Sequence, residues 1–304
     1  MAPTIKLISN YEYKRQFLPE ISAHVLHDHS QLQLYRIESY LKDILIPVPP
    51  YRTSFNFLML ITRGYIQQQL ETQSYTVTAG QVINIKQGCI TRTLELSPDL
   101  QGFYLIYENN VITNLFLNNR ELDFFFTAPY IQLSSKEVKW LEKSFSLLKE
   151  ELDAMALNSS EDICLALFSA ILLKLIRSGN PGAHALTRDL KISYQFRTEV
   201  QHYHIMHKDV CFYAKKMQIS ETYLNKCVKK TTGKPPKQWI QEISILHSQI
   251  LLQNLTKEIS EVAYELNYQS ASYFTRIFHK VTGVTPKTYR SQLKERYRNN
   301  WASS

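Results

Sequence analysis

Between Val210 and Arg290 the chain says the same thing twice, and this limits its fold more than any other feature. With an offset of 50, Ser220-Glu-Thr-Tyr-Leu-Asn-Lys-Cys-Val-Lys-Lys230 falls on Ser270-Ala-Ser-Tyr-Phe-Thr-Arg-Ile-Phe-His-Lys280. Thr232-Gly-Lys-Pro-Pro-Lys-Gln-Trp239 then falls on Thr282-Gly-Val-Thr-Pro-Lys-Thr-Tyr289 without a gap. Repetition at this period indicates two copies of one supersecondary unit. Upstream, Val210, Tyr213, Ala214 and Met217 in the first copy match Ile259, Val262, Ala263 and Leu266 in the second, both spaced i, i+3, i+4, i+7 as on one helix face. A short break follows each set (Gln218-Ile219; Asn267-Tyr268-Gln269), then Ser220 or Ser270, whose hydroxyl can take an orphan amide at a helix start. Helix, tight turn and capped helix is the helix-turn-helix plan.

Charge points to the partner of this unit. The chain of 304 residues carries +8 in all. Up to His207 there are 19 Lys and Arg against 20 Asp and Glu; from Lys208 onward there are 16 against 7. The positive excess lies wholly on the repeat, which is the electrostatic footprint of a polyanion binder. On a helical projection, Leu224, Cys227 and Val228 in the first copy and Phe274, Ile277 and Phe278 in the second form the core face. The opposite face carries Thr222, Lys226 and Lys229, then Gln269, Ser272, Arg276 and His279, with Asn225 and Thr275 at its margin. Arg and Lys donate to guanine, Asn and Gln pair with adenine, and Ser, Thr and His add further donors and acceptors, so these are the base-facing candidates. Lys230, Lys234, Lys237, Lys280, Lys287 and Arg290 are the candidates for phosphate contacts that fix register without reading sequence. Trp239, Ile240, Ile243, Leu246, Ile250 and Leu251 space as a long helix joining the copies. It would hold two readers about one DNA turn, roughly 34 Å, apart.

The rest of the chain is read from pattern. Residues 20 to 110 hold short β-rich runs: Phe55–Thr62, Tyr65–Leu70, Tyr75–Thr78, Gln81–Ile85, Thr91–Leu96 and Phe103–Tyr107, a spacing that suggests a sandwich or barrel. Val111 to Leu133, with Phe124-Phe-Phe126, is expected to be a partly helical connection. Ser134 and Glu137 make a capping-box match, after which Val138, Leu141, Phe145, Leu148, Leu152 and Met155 form a stripe. Asn158-Ser-Ser160 breaks it. Glu161 to Arg177 is apolar on nearly every side and is expected to be a buried helix. Leu141, Phe145, Leu148 and Leu152 are either the internal seam of this hairpin or a dimer contact. Gly179-Asn-Pro-Gly-Ala183 reads as a linker and Thr187 to Lys208 as a polar lead-in helix. Expected domains are therefore 1–133, 134–178, 179–208 and 209–304.

Cys89, Cys164, Cys211 and Cys227 lie far apart, without a C-x-x-C pair, and suit free thiols in a reducing cytoplasm. Met1-Ala-Pro-Thr-Ile-Lys6 has no basic region followed by an apolar run, so a secretory signal is not expected, and the apolar run Ile163–Leu173 is too short to span a bilayer. His24, His27 and His29 have ligand chemistry at loose spacing; no metal or cofactor is expected. No paired carboxylate or Ser/His/Asp constellation can be placed at one site, so an enzyme is not expected.

The C-terminal hundred or so residues closely resemble the DNA-binding domain of AraC-type transcriptional regulators. The second half of that domain reads I-x-x-I-A-x-x-L-G-F-x-x-x-S-Y-F-x-x-x-F-K-x-x-x-G-x-T-P-x-x-Y-R. Here it is carried by Ile259, Val262, Ala263, Leu266, Tyr268, Ser272-Tyr-Phe274, Phe278, Gly283, Thr285-Pro286 and Tyr289-Arg290. Departures are Asn267 for Gly, Tyr268 for Phe, His279 for a basic residue, and Ser244 and Ser248 where the joining helix usually has Arg and Ala. Tyr213-Ala214, Trp239-Ile240 and Leu266-Asn267 look like the variant common in Bacteroidetes. The resemblance implies an α+β multidomain chain with an N-terminal cupin-like β-barrel, a helical hairpin, and a C-terminal all-α tandem helix-turn-helix domain. It also implies a DNA-binding regulator, usually an activator, with RNA polymerase as partner, a small-molecule effector at the N-terminal domain and homodimerisation. The alternative is an effector-binding or enzymatic cupin tethered to nucleic acid; a third is an effector-independent architectural protein or repressor.

Overall fold

The β-rich runs pair into two antiparallel sheets in the computed structural model. The strands are β1 (Leu32–Arg36), β2 (Tyr51–Arg52), β3 (Asn56–Arg63), β4 (Tyr65–Leu70), β5 (Gln73–Thr78), β6 (Gln81–Ile85), β7 (Ile90–Leu96), β8 (Gln101–Tyr107) and β9 (Tyr130–Gln132). One sheet has the order β1-β8-β3-β6-β9 and the other β2-β7-β4-β5. Residues 7–109, 111, 130–154, 161–179 and 188–301 are described, with side chains as far as 295. Most of the expected connection, including Phe124–Phe126, lies outside them, as do Met155, Asn158–Ser160, residues 180–183 of the linker, and Thr187.

The described strands form two separate sheets and do not close into a barrel, and the chain passes from one sheet to the other at Gly64, between β3 and β4. Gly64 has φ +73°, and a Cβ there would lie 2.2 Å from Ser97 Oγ. β4 alternates buried and half-buried residues, as a strand with one covered face should. Its inward Gln68 is satisfied by Thr91 (2.7 Å) and Thr93 (2.9 Å). Strand β3 is buried from Asn56 to Ile61, and its pairing with β8 admits only glycine at 102. A Cβ on Gly102 would stand 2.0 Å from the Leu60 carbonyl oxygen.

Three short helices, α1 (Asn10–Phe17), α2 (Ala23–Leu26) and α3 (Ile37–Tyr40), flank β1 in sequence; the helical hairpin is α4 (Ser135–Ala154) and α5 (Glu161–Gly179). The expected capping box is present: Ser134 N donates to Glu137 Oε2 at 2.8 Å, and Glu137 N donates to Ser134 Oγ at 3.4 Å. The stripe on α4 faces the five-stranded sheet. Leu141, Phe145 and Leu148 have no exposed surface and pack with Leu58, Leu60, Phe103 and Leu105 of the sheet and Phe168 and Leu172 of α5. Phe145 stacks on Phe103 with centroids 5.1 Å apart. Of the two expected roles, internal seam or dimer contact, their burial fits the internal seam, extended onto the sheet; Leu152 is partly buried against the same core. Helix α5 is not buried all round as its composition suggests, for Ile163 and Leu173 are exposed. The hairpin and sheets form one unit, Leu7–Val48 with Arg52–Ala185, and a second unit consists mainly of Leu186–Ser304.

Glu137 also accepts from Ser178 Oγ at 2.6 Å and so ties the start of α4 to the end of α5. Hydrogen bonds from Ser134 and Ser178 hold its carboxyl down at about 2, against an ordinary 4.5. A depressed carboxylate stabilises the fold above its unfolded value and loses that contribution as pH falls. Glu137→Gln is expected to be less stable than the parent at neutral pH, with the gap closing between about pH 4.5 and 2 in urea unfolding. Gly102→Ala should cost about 2 kcal/mol or more in the same measurement, because backbone rather than a flexible side chain stands in the way.

Candidate nucleic-acid interface

The second unit contains α6 (Arg188–Tyr203), α7 (Val210–Lys216), α8 (Glu221–Thr232), α9 (Pro236–Leu251), α10 (Ile259–Glu265), α11 (Ala271–Thr282) and α12 (Pro286–Trp301). Helices α7 and α8 form the first helix-turn-helix and α10 and α11 the second; their sequence repetition extends to individual hydrogen bonds. Ser220 accepts from Tyr223 N and Ser270 from Tyr273 N, both at 3.2 Å. Gly233 and Gly283 close α8 and α11 at φ +75° and +77°, the left-handed conformation that favours glycine. Thr232 and Thr282 bond back to Val228 O (2.7 Å) and Phe278 O (2.8 Å), and each accepts the amide two residues on.

The turns between paired helices also agree. Ile219 N donates to Ala214 O and Tyr268 N to Ala263 O, both at 2.9 to 3.0 Å, which wraps the end of each first helix. Both turns need one left-handed residue, Gln218 or Asn267, each at φ +56°. Asn267 therefore does the work of the glycine usual in the resembling family, and asparagine tolerates this conformation better than most residues.

The projected core is the observed core: Leu224, Cys227, Val228, Phe274 and Phe278 have no exposed surface and Ile277 is buried. Helix α9 is the joining helix, with Trp239, Ile240, Ile243 and Leu246 buried. Its buried Ser244 accepts a hydrogen bond from Tyr268 OH at 3.0 Å. Two departures from the family pattern are thus one interaction. Lys208, whose ammonium lies 4.6 Å from the Tyr268 ring centroid, donates to the His204 and Ile205 carbonyls, and burial pushes it down to about 8. Buried His204 and His247 meet through Nε2 and Nδ1 at 3.1 Å.

Thr222, Lys226, Lys229, Gln269, Ser272, Arg276 and His279 are exposed opposite the buried faces, and Thr275 is half-buried. Asn225 is also half-buried, and its Nδ2 is used in a 2.8 Å bond to Glu221 O. The Arg276 guanidinium lies over the Tyr273 ring, 5.1 Å from its centroid. The phosphate candidates divide. Lys237, Lys280 and Lys287 are exposed and make no ion pair among the described residues. Lys230 pairs with Asp189 on α6 and Lys234 with Glu242 on α9, both at 2.7 Å. Arg290 is half-buried, with Nε and one Nη turned away from solvent. Neither Asp189 nor Glu242 carries a local signal in the sequence; Asp189 reaches its partner across 41 positions.

In the first unit, a cavity of about 610 Å³ lies where β1 and the segment before it meet the hairpin. Leu34, Val111, Leu152 and Leu165 contribute apolar surface, with Lys149 and Glu161 among the charged residues. His24 lines this cavity, whereas His27 and His29 pack against Tyr11. Among the described residues no three His, Cys, Asp or Glu side chains are grouped to hold a metal ion.

A left-handed non-glycine residue costs about 1–2 kcal/mol, partly offset in glycine by its larger unfolded-state entropy. Gln218→Gly is expected to raise stability by up to about 1 kcal/mol in thermal or urea unfolding, and by more than Asn267→Gly.

Residues 213–292 match a family described as a helix-turn-helix domain. The HTH-type transcriptional activator RhaR of Enterobacter sp. (strain 638) is 24% identical over 173 residues, covering 55% of this chain and 60% of that protein. Histidine kinase P4 of Formosa agariphila is 29% identical over 89 residues, which are 29% of this chain and 6% of that protein. The chain thus spans less than two thirds of the length of these relatives. ToxT from Vibrio cholerae O395 is similar in structure at a TM-score of 0.45 and 18% identity, covering 86% of this chain and 97% of that one. Paired turns and family match agree, and the C-terminal unit carries a helix-turn-helix domain.

Proposed function

We propose that this protein is a sequence-specific, double-stranded-DNA-binding transcription regulator of the AraC family that acts as an activator in the cytoplasm. The observation that carries this reading is the duplicated reader: two capped helices, each with a buried apolar face and an exposed face of basic, amide and hydroxyl groups, joined through one buried helix. Such helices suit successive major-groove segments. Thr222, Lys226, Lys229, Gln269, Ser272, Thr275, Arg276 and His279 are assigned to base edges, and Asn225 retains its carbonyl oxygen for the same task. Lys237, Lys280 and Lys287 are assigned to phosphates. RNA polymerase is the downstream partner, as the resemblance implies for activators, and the chain is not an enzyme.

The two-sheet unit serves as the cupin-like regulatory domain. A small-molecule effector occupies the cavity between β1 and the hairpin, whose volume is in the usual range of roughly 300–1,000 Å³ for such sites. With Leu141, Phe145 and Leu148 spent on the core, homodimerisation uses the outer hairpin surface, where Trp140, Leu147, Ile163 and Leu173 are exposed. Among the described residues no helix is long and apolar enough to cross a membrane.

Selection of bound fragments from random duplex DNA should return a defined sequence. Arg276→Ala should weaken the selected site by about 1–3 kcal/mol and relax preference at one base position. Equal losses on selected and random duplexes would show that Arg276 touches only phosphate.

A further inference from the structure

Lys230 and Lys280 occupy equivalent places in the two copies, on the last turn of α8 and of α11. Their surroundings differ. Lys280 is exposed with no ion pair among the described residues, whereas the Lys230 ammonium lies 2.7 Å from Asp189 Oδ2. The other oxygen of Asp189 accepts from the Cys227 thiol at 3.4 Å. Asp189 sits in the first turn of α6, where the helix dipole favours a carboxylate. Its side chain is 18% exposed and that of Lys230 is 66% exposed, so the acceptor is fixed and the ammonium is free to leave. One residue away, Arg188 lies over the Tyr223 ring, 5.6 Å from its centroid, and makes a second contact from α6 to α8. Lys234 and Lys216 on the same copy are likewise matched by Glu242 and Glu199.

We propose that Asp189 is an internal stand-in for a DNA phosphate. It neutralises Lys230 in the free protein, so of the two equivalent lysines Lys280 supplies the larger share of sequence-independent attraction, and Lys230 docks by exchanging carboxylate for phosphate. This rests on the DNA-binding reading above. An exposed ion pair is only weakly held, so the exchange is readily made. A phosphate that replaces a carboxylate adds little net charge neutralisation, and Asp189 remains beside the docked phosphate to repel it. Lys230 therefore adds little to non-specific capture, and that end of α8 depends on its base contacts to stay engaged.

The test uses the full chain and random-sequence duplex DNA, with binding measured against salt. Each phosphate contact contributes about 0.9 to the slope of log K against log salt. Lys280→Ala should flatten the slope by about 0.9 and Lys230→Ala by less than half of that. Asp189→Asn should tighten binding several-fold and steepen the slope, and adding Lys230→Ala to that variant should remove the gain. Equal effects of Lys230→Ala and Lys280→Ala in the parent chain overturn the proposal. This comparison leaves Asp189 untouched and so does not depend on its substitution folding. A folded Asp189→Asn protein with an unchanged slope also overturns it. Absence of salt-dependent binding in the parent chain overturns the DNA-binding reading itself, and the proposal with it.

Discussion

Burial of α9 is the constraint on which the helix-turn-helix half depends. Trp239, Ile240 and Ile243 are fully enclosed, and so are Ser244, Ile245, His247 and Ser248, while Lys237 and Gln238 near its start are exposed. A joining helix so largely buried cannot flex as a tether. It fixes the separation and rotation of the two helix-turn-helix units. Apart from Trp239 Nε1 and Gln249 Oε1, which make no hydrogen bond among the described residues, several polar groups in this interior are answered: Tyr268 meets Ser244, Ser248 bonds to the Ile245 carbonyl at 2.6 Å, and His204 meets His247. Unanswered, each would cost about 1–3 kcal/mol.

The repeat, the caps at Ser220 and Ser270, the core faces of both readers and the capping box at Ser134 could be read from the chain because each depends on neighbours within a turn or two. The strand runs from Tyr65 to Leu70 and from Gln81 to Ile85 were legible for the same reason, through alternation or dense β-branched residues. Sheet topology was not, because departure from one sheet at Gly64 is decided by long-range pairing. The a/d stripe of α4 had two valid physical solutions, a partner chain or a sheet, and periodicity does not distinguish them. The site shows the same division. Exposure of Lys226, Arg276 and Lys280 followed from helical projection, whereas the pairing of Lys230 and Lys234 depended on carboxylates brought in by other helices.

The excess of positive charge in the last third of the sequence is correspondingly uneven in space. Counting lysines makes the first copy look the more attractive to a polyanion. Pairing narrows that difference, because Glu199, Asp189 and Glu242 meet three lysines of the first copy, whereas on the second Lys257 meets Glu265. The two readers share a backbone and their capping chemistry while presenting different fields to solvent.

The hydroxyl contact between Tyr268 and Ser244 also bears on how such domains can be recombined. The two residues lie 24 positions apart, one beside the second turn and the other in the middle of α9. A chimera that took the second turn of this chain and the joining helix of another would bury the tyrosine hydroxyl with nothing to receive it. The natural cut for exchanging reading heads therefore lies before residue 244, so that joining helix and second head travel as one piece.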